Sequence, residues 1–171
     1  VHGFDGINPV TLSGFRHDLD RWVINASRNV PEELEAFKFN LDTNSGFQLG
    51  VGYAQSTVRN GTRSSSATSY LADKFIRRPN LHVLLHSHVT RILPKTEGSL
   101  EFERVEFSQD SGKELRMITA KKEIILCAGA IGSPQILLLS GIGDTTELSS
   151  IDVPTLKHLP SVGRNMTEQP V

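Results

Sequence analysis

The run Cys127-Ala128-Gly129-Ala130-Ile131-Gly132-Ser133-Pro134 puts three residues with almost no side chain directly after an apolar stretch. At Ala128, Gly129 and Ala130 the backbone can come close to a ligand or to another element. The preceding Ile124-Ile125-Leu126-Cys127 reads as a short buried strand. Ser133 predicts a helix N-cap, Pro134 the first helical position, and Gly141 the place where the helix stops. The chemistry on offer is close main-chain approach to a ligand at a strand–turn–helix.

Other groups that could do chemistry read more plainly. His82, His86 and His88 share one face if the segment is extended, because alternate strand positions point the same way. No Cys, Asp or Glu sits among them, so they read as a strand face and not a metal site. Gly141-Ile142-Gly143 follows a helix and lacks a third glycine in place, so it is not a dinucleotide fingerprint. Glu32, Glu33, Glu35, Glu101 and Glu103 read as solvated faces. Cys127, the single cysteine, reads as inert packing in an apolar strand and excludes an internal disulfide.

The elements that position these residues follow from punctuation. Val1 to Ser13 reads as a turn and a short strand around Val10-Thr11-Leu12. Asp18 predicts a helix cap, with Leu19, Trp22, Val23 and Ala26 at helical spacing. Pro31 and the acids after it predict a second helix start. Residues 40–52 read as a loop, Val51 to Val58 as extended, and Asn60-Gly61 as a turn. A helix is expected over Ala67 to Ile76. Strands are expected at Leu81 to His86, His88 to Leu93, Phe102 to Phe107, Leu115 to Thr119 and Glu123 to Cys127. The helix after Ser133 follows, then a short helical piece at Thr145 to Ser150 and a turn at Gly163-Arg164-Asn165.

Composition is that of a globular chain of 171 residues, with 18 basic and 19 acidic side chains. A net charge of -1 argues against a nucleic-acid or polybasic membrane partner. No apolar stretch approaches a membrane span. The chain begins with Val, which points to a fragment or a processed product. Asn25, Asn60 and Asn165 each open an Asn-x-Ser/Thr triplet. If the protein is secreted, Asn25 and Asn60 are the expected glycan acceptors, and Asn165 reads as structural.

Gly129-Ala130, Ser133-Pro134, Ile136-Leu137 and Ser140-Gly141-Ile142-Gly143 together resemble the second signature of the glucose–methanol–choline (GMC) oxidoreductases. The resemblance extends to Asn60-Gly61-Thr62-Arg63-Ser64-Ser65-Ser66, Arg78-Pro79-Asn80-Leu81, Val89-Thr90-Arg91-Ile92, Ala120 to Leu126, and Leu159 to Met166. His2-Gly3 and Gly6 fit the start of the family's substrate domain. Gln169 stands where members carry His or Gln, while Glu168 replaces the more usual Asp. The triple serine and the Gly-Ile-Gly-Asp continuation look most like fungal aryl-alcohol oxidases and pyranose dehydrogenases.

The resemblance implies FAD as cofactor. It implies an α/β fold: a piece of a doubly wound FAD-binding domain with part of an antiparallel-sheet substrate domain. Residues 1–60 would belong to the substrate domain, 61–150 to the FAD domain, and 151–171 to the connection back. Val89 would set its main-chain groups against the adenine; Cys127, Ala128 and Gly129 would pass the adenosine and pyrophosphate. The family's Gly-rich phosphate turn and its catalytic histidine are not in this chain, so no catalytic residue is assigned and the chain alone is expected to be inactive. The implied activity is hydride transfer from an aromatic or other primary alcohol to flavin, then to oxygen or another acceptor, in a secreted glycoprotein. A sugar (pyranose) dehydrogenase, a lyase of the same fold and a non-catalytic relative are the alternatives. Apolar surface that other parts would cover is expected to lie open.

Overall fold

A computed structural model describes residues 3–12 and 14–169. His2, at the expected start of the substrate domain, and Val1 and Ser13, the ends of the first segment, lie outside the described residues. The chain falls into two compact units, Val1–Val83 and Leu84–Val171. The architecture is mixed α/β, with antiparallel pairs and helices.

In the first unit, β1 (Thr11–Leu12) pairs antiparallel with β2 (Gln55–Ser56). Helix α1 (Asp18–Arg28) is capped by His17 and not by Asp18. The His17 ring accepts the Leu19 N–H at 3.4 Å, and the Asp20 carboxylate accepts the His17 N–H at 2.9 Å. Asp18 takes the first helical position, where its charge still faces the positive end of the helix dipole. The second expected helix is a 3-10 segment, Glu32–Phe37, broken at Leu34. The 40–52 loop is stapled by Asn40, whose amide donates to the carbonyls of Phe47 and Leu49 at 2.9 Å each. Gly52 lies so close to Asn40 that a Cβ would come within 2.4 Å of its carbonyl oxygen.

Strands β3 (Val58–Arg59) and β4 (Thr62–Arg63) form a hairpin with Asn60-Gly61 at the tip. Both tip residues have positive φ, 49° and 74°, as a type I′ turn demands. The single helix expected over Ala67 to Ile76 is split into α2 (Ser66–Tyr70) and α3 (Asp73–Ile76). Ser65 and Thr68 form a capping box on α2.

In the second unit, β5 (His88–Pro94), β6 (Phe102–Ser108) and β7 (Arg116–Thr119) form an antiparallel sheet in that order. Two expected strands do not form. Leu81 to His86 has no ladder partner among the described residues, and the chain turns at His86, where φ is 54°. Of the three histidines only His88 stands on a strand, so they do not share a face. No group of three metal-capable side chains occurs among the described residues. Glu123 to Cys127 likewise has no pairing among the described residues; Ile125 is 72 % exposed and Cys127 is exposed. A strand exists only through its neighbours, and no described strand lies beside this one.

Helix α4 (Gly129–Leu139) starts four residues before the expected N-cap, Ser133. Ser133 still serves that end: its Oγ accepts the Ala128 N–H at 3.0 Å. The helix stops at Ser140-Gly141 as expected, with Gly141 at φ 80°. Strand β8 (Ile142–Gly143) then pairs parallel with β9 (Lys157–His158) around α5 (Thr145–Ser150). Asp144 caps α5 by accepting the N–H groups of Thr146 and Glu147. Leu148 is fully buried in this module, and among the described residues of the unit Ile92, Phe107, Ile136 and Ile142 are the other buried apolar side chains.

Candidate functional site

Val89 lies half-buried on β5, opposite Phe107. β5 is one margin of its sheet, so its outer side faces no described strand. Two anchors fix which way its main-chain groups point. The Ile92 N–H is held at 2.9 Å by the Oγ of Ser140, the residue that ends α4, so Ile92 faces away from β6. The Glu103 carbonyl accepts the Ala120 N–H, so Glu103, Val105 and Phe107 face β7. Main-chain direction alternates along a strand. Between Val89 and Arg91 the register shifts by one residue, a β-bulge at Thr90. Counted through that bulge, the N–H and C=O of Val89 face the open margin.

The bulge is held by Glu106 on β6. Its Oε1 accepts from Thr90 Oγ1 at 2.7 Å and from Arg91 Nε at 3.0 Å; its Oε2 accepts from Arg91 Nη2 at 3.0 Å. Glu106 is 7 % exposed. The Arg91 guanidinium holds its carboxyl below the ordinary carboxylate range, against the opposing effect of burial, and the Thr90 hydroxyl adds to the lowering. Sequence reasoning missed Glu106. The signal was an acid inside the apolar run Val105-Glu106-Phe107, next to a strand carrying an arginine.

Cys127, Ala128 and Gly129 are exposed at the start of α4. Gly129 has φ 85°, and nothing lies within 4 Å of where its Cβ would be. The glycine therefore answers a conformational need and leaves open space in front of it. Ser133 takes the Ala128 N–H, but among the described residues no side chain accepts from the N–H groups of the first helical turn, which leaves them available to an anion. These features fit the adenosine and pyrophosphate side of FAD. α4 packs on β5 at the Ser140 end. Eleven residues of helix, about 16 Å of axis, separate that end from Gly129. No hydrogen bond joins Val89 to Cys127, Ala128 or Gly129 among the described residues.

An apolar cavity of about 850 Å³ lies along α4, walled by Ile131, Pro134, Leu138, Gly163 and Met166. The turn at Gly163 rests on the Pro134 ring: a Cβ there would stand 3.7 Å from it. Arg164, beside that turn, pairs with Glu147 of α5.

Residues 16–171 match the family described as GMC oxidoreductase. Pyranose dehydrogenase 2 of Leucoagaricus meleagris is 44% identical over 170 residues, which are 99% of this chain and 27% of that protein. A solved FAD-dependent oxidoreductase from Chaetomium thermophilum superposes with a TM-score of 0.79 at 28% identity, over 93% of this chain and 26% of its own. A fungal aryl-alcohol oxidase superposes at 0.56 and 29% identity, over 64% of this chain and 18% of its own. The chain thus spans about a quarter of the length of the relatives it matches. Its mixed α/β architecture agrees with the fold that the motifs implied. On the family match and the 44% identity together, the chain belongs to the GMC oxidoreductases, a family of FAD-dependent enzymes.

Proposed function

We propose that the protein carrying this chain oxidises a hydroxyl of a pyranose sugar, as a dehydrogenase. The carrying observation is the 44% identity to pyranose dehydrogenase 2 along nearly the whole chain. This reading replaces the aromatic alcohol expected from the motifs by the sugar alternative.

FAD supplies the acceptance of a hydride from the CH–OH carbon. The residues here bind and orient it. The Val89 N–H and C=O offer a donor and an acceptor on one margin, which is what an adenine edge requires. Ala128 and Gly129 let the backbone approach the adenosine, beside Cys127, and the uncapped end of α4 favours the negative pyrophosphate. The proton acceptor for the alcohol lies outside this chain.

The test is turnover by the full-length protein. A monosaccharide pyranose and a benzylic alcohol are compared, each with a quinone acceptor and with oxygen alone. Sugar-dependent quinone reduction with little peroxide is the expected result. Faster oxidation of the benzylic alcohol with stoichiometric peroxide would replace this reading by an aryl-alcohol oxidase.

Export from the cell belongs to the same proposal. It rests on Asn25, exposed on α1 within its Asn-Ala-Ser triplet. Treatment of the native protein with an N-glycosidase should convert Asn25 to Asp in its peptide; an unmodified Asn25 peptide from untreated protein would remove the support.

A further inference from the structure

We infer that Glu106 and Thr90 are positioning residues for adenine recognition, because they hold the bulge that turns the main chain of Val89 outward. The inference rests on the reading of Val89 as the adenine contact and adds what makes that contact possible.

From Ile92, facing outward, an unbroken strand would place Thr90 outward and Val89 inward. The N–H and C=O of Val89 would then be spent on the ladder with β6. One extra residue reverses this. A bulge costs ladder hydrogen bonds, so it persists only where something holds it. The Thr90 hydroxyl donates to the Glu106 carboxylate at 2.7 Å and also lies 3.2 Å from the Glu106 carbonyl. Arg91 closes on the same carboxylate from the next position. The two residues on either side of the inserted peptide bond are thus fastened to one buried group. Downstream, Ser140 fixes Ile92 and so the outward phase from which the count begins.

Neither side chain needs to touch the cofactor, so a readout specific to the adenine end is required. The full-length apoprotein is loaded with FAD or with FMN, which has the flavin but no adenosine, and the selectivity is the ratio of the two affinities. Thr90→Val keeps the shape and removes the hydroxyl; Glu106→Gln removes the charge. Each is expected to lower the selectivity about tenfold, the worth of roughly one well-placed hydrogen bond. Thr90→Ser is expected to restore it. If both variants weaken FAD and FMN alike, the bulge is only structural and the inference is overturned.

Val89→Pro separates this from the underlying reading. It removes the outward N–H and fixes φ at that position, both of which a strand margin tolerates. Lost selectivity in Val89→Pro with none lost in Thr90→Val would keep the adenine contact and overturn the positioning role. Unchanged selectivity in Val89→Pro would overturn the adenine contact itself. Should Glu106→Gln fail to fold, the Thr90→Val and Thr90→Ser pair decides.

Discussion

Arg91 grips Glu106 with two parallel hydrogen bonds of 3.0 Å across neighbouring strands. The acid is nearly enclosed while the arginine is half in water, with side chains 9% and 46% exposed. Both partners shift in the direction that strengthens the pair: the Glu106 carboxyl falls and the Arg91 guanidinium rises, each chiefly through the hydrogen bonds between them. A carboxyl that falls on folding adds stability above its unfolded pKa. That stability is lost as pH drops through the lowered folded value.

Glu106→Gln should cost about 1–2 kcal/mol near neutral pH, discounted for the arginine's exposure. It should also flatten the acid limb of stability below the ordinary glutamate range. Urea unfolding of the flavoprotein at stepped pH measures both. An acid limb as steep as wild type would show that the pair contributes nothing to it.

Ser140 joins helix to sheet. Its Oγ donates to the Ile136 carbonyl at 2.6 Å and accepts the Ile92 N–H at 2.9 Å. Ser140→Ala should cost about 1–2 kcal/mol, since a main-chain donor is left without its partner. Hydrogen exchange at the Ile92 amide should accelerate while the ladder amides of β6 stay protected. Unchanged exchange at Ile92 would refute the link.

Gly141 and Gly61 both have positive φ, 80° and 74°, but their surroundings differ. A Cβ on Gly141 would lie 2.5 Å from the Pro154 carbonyl oxygen and 3.1 Å from the Leu156 nitrogen. Nothing lies within 4 Å of the Gly61 position. Gly61→Ala should therefore cost only the backbone term, about 1–2 kcal/mol, and Gly141→Ala about 2–4 kcal/mol. Thermal melts of the two variants compare them directly; equal costs would contradict the close packing at Gly141.

The 171-residue chain exposes 13882 Å². Two separate folded units of half its mass would expose about 10,000 Å². Phe15, Trp22, Ile125 and Ile131 are each more than 70% exposed. The isolated chain should bind a hydrophobic dye and melt without a sharp transition. A sharp, dye-free melt from a monomer would mean that these surfaces need no cover.

Several elements were settled by residues within a few positions of one another. Asn60-Gly61 fixed its hairpin because only such a pair takes two positive φ values cheaply. Asp144 fixed the start of α5, and Gly141 the end of α4, through bonds that span one helical turn. The order of small residues, serine, proline and glycines from Gly129 to Gly143 was enough to mark the family. Tertiary structure decided what depends on distant partners. Leu81 to His86 and Glu123 to Cys127 are as apolar as true strands, yet neither finds a ladder among the described residues. The bulge at Thr90 is equally invisible in Val89-Thr90-Arg91. It comes from Glu106, about fifteen residues along on another strand, whose buried carboxylate needs both donors at once. That requirement, and not the local pattern, sets the direction in which Val89 presents its backbone.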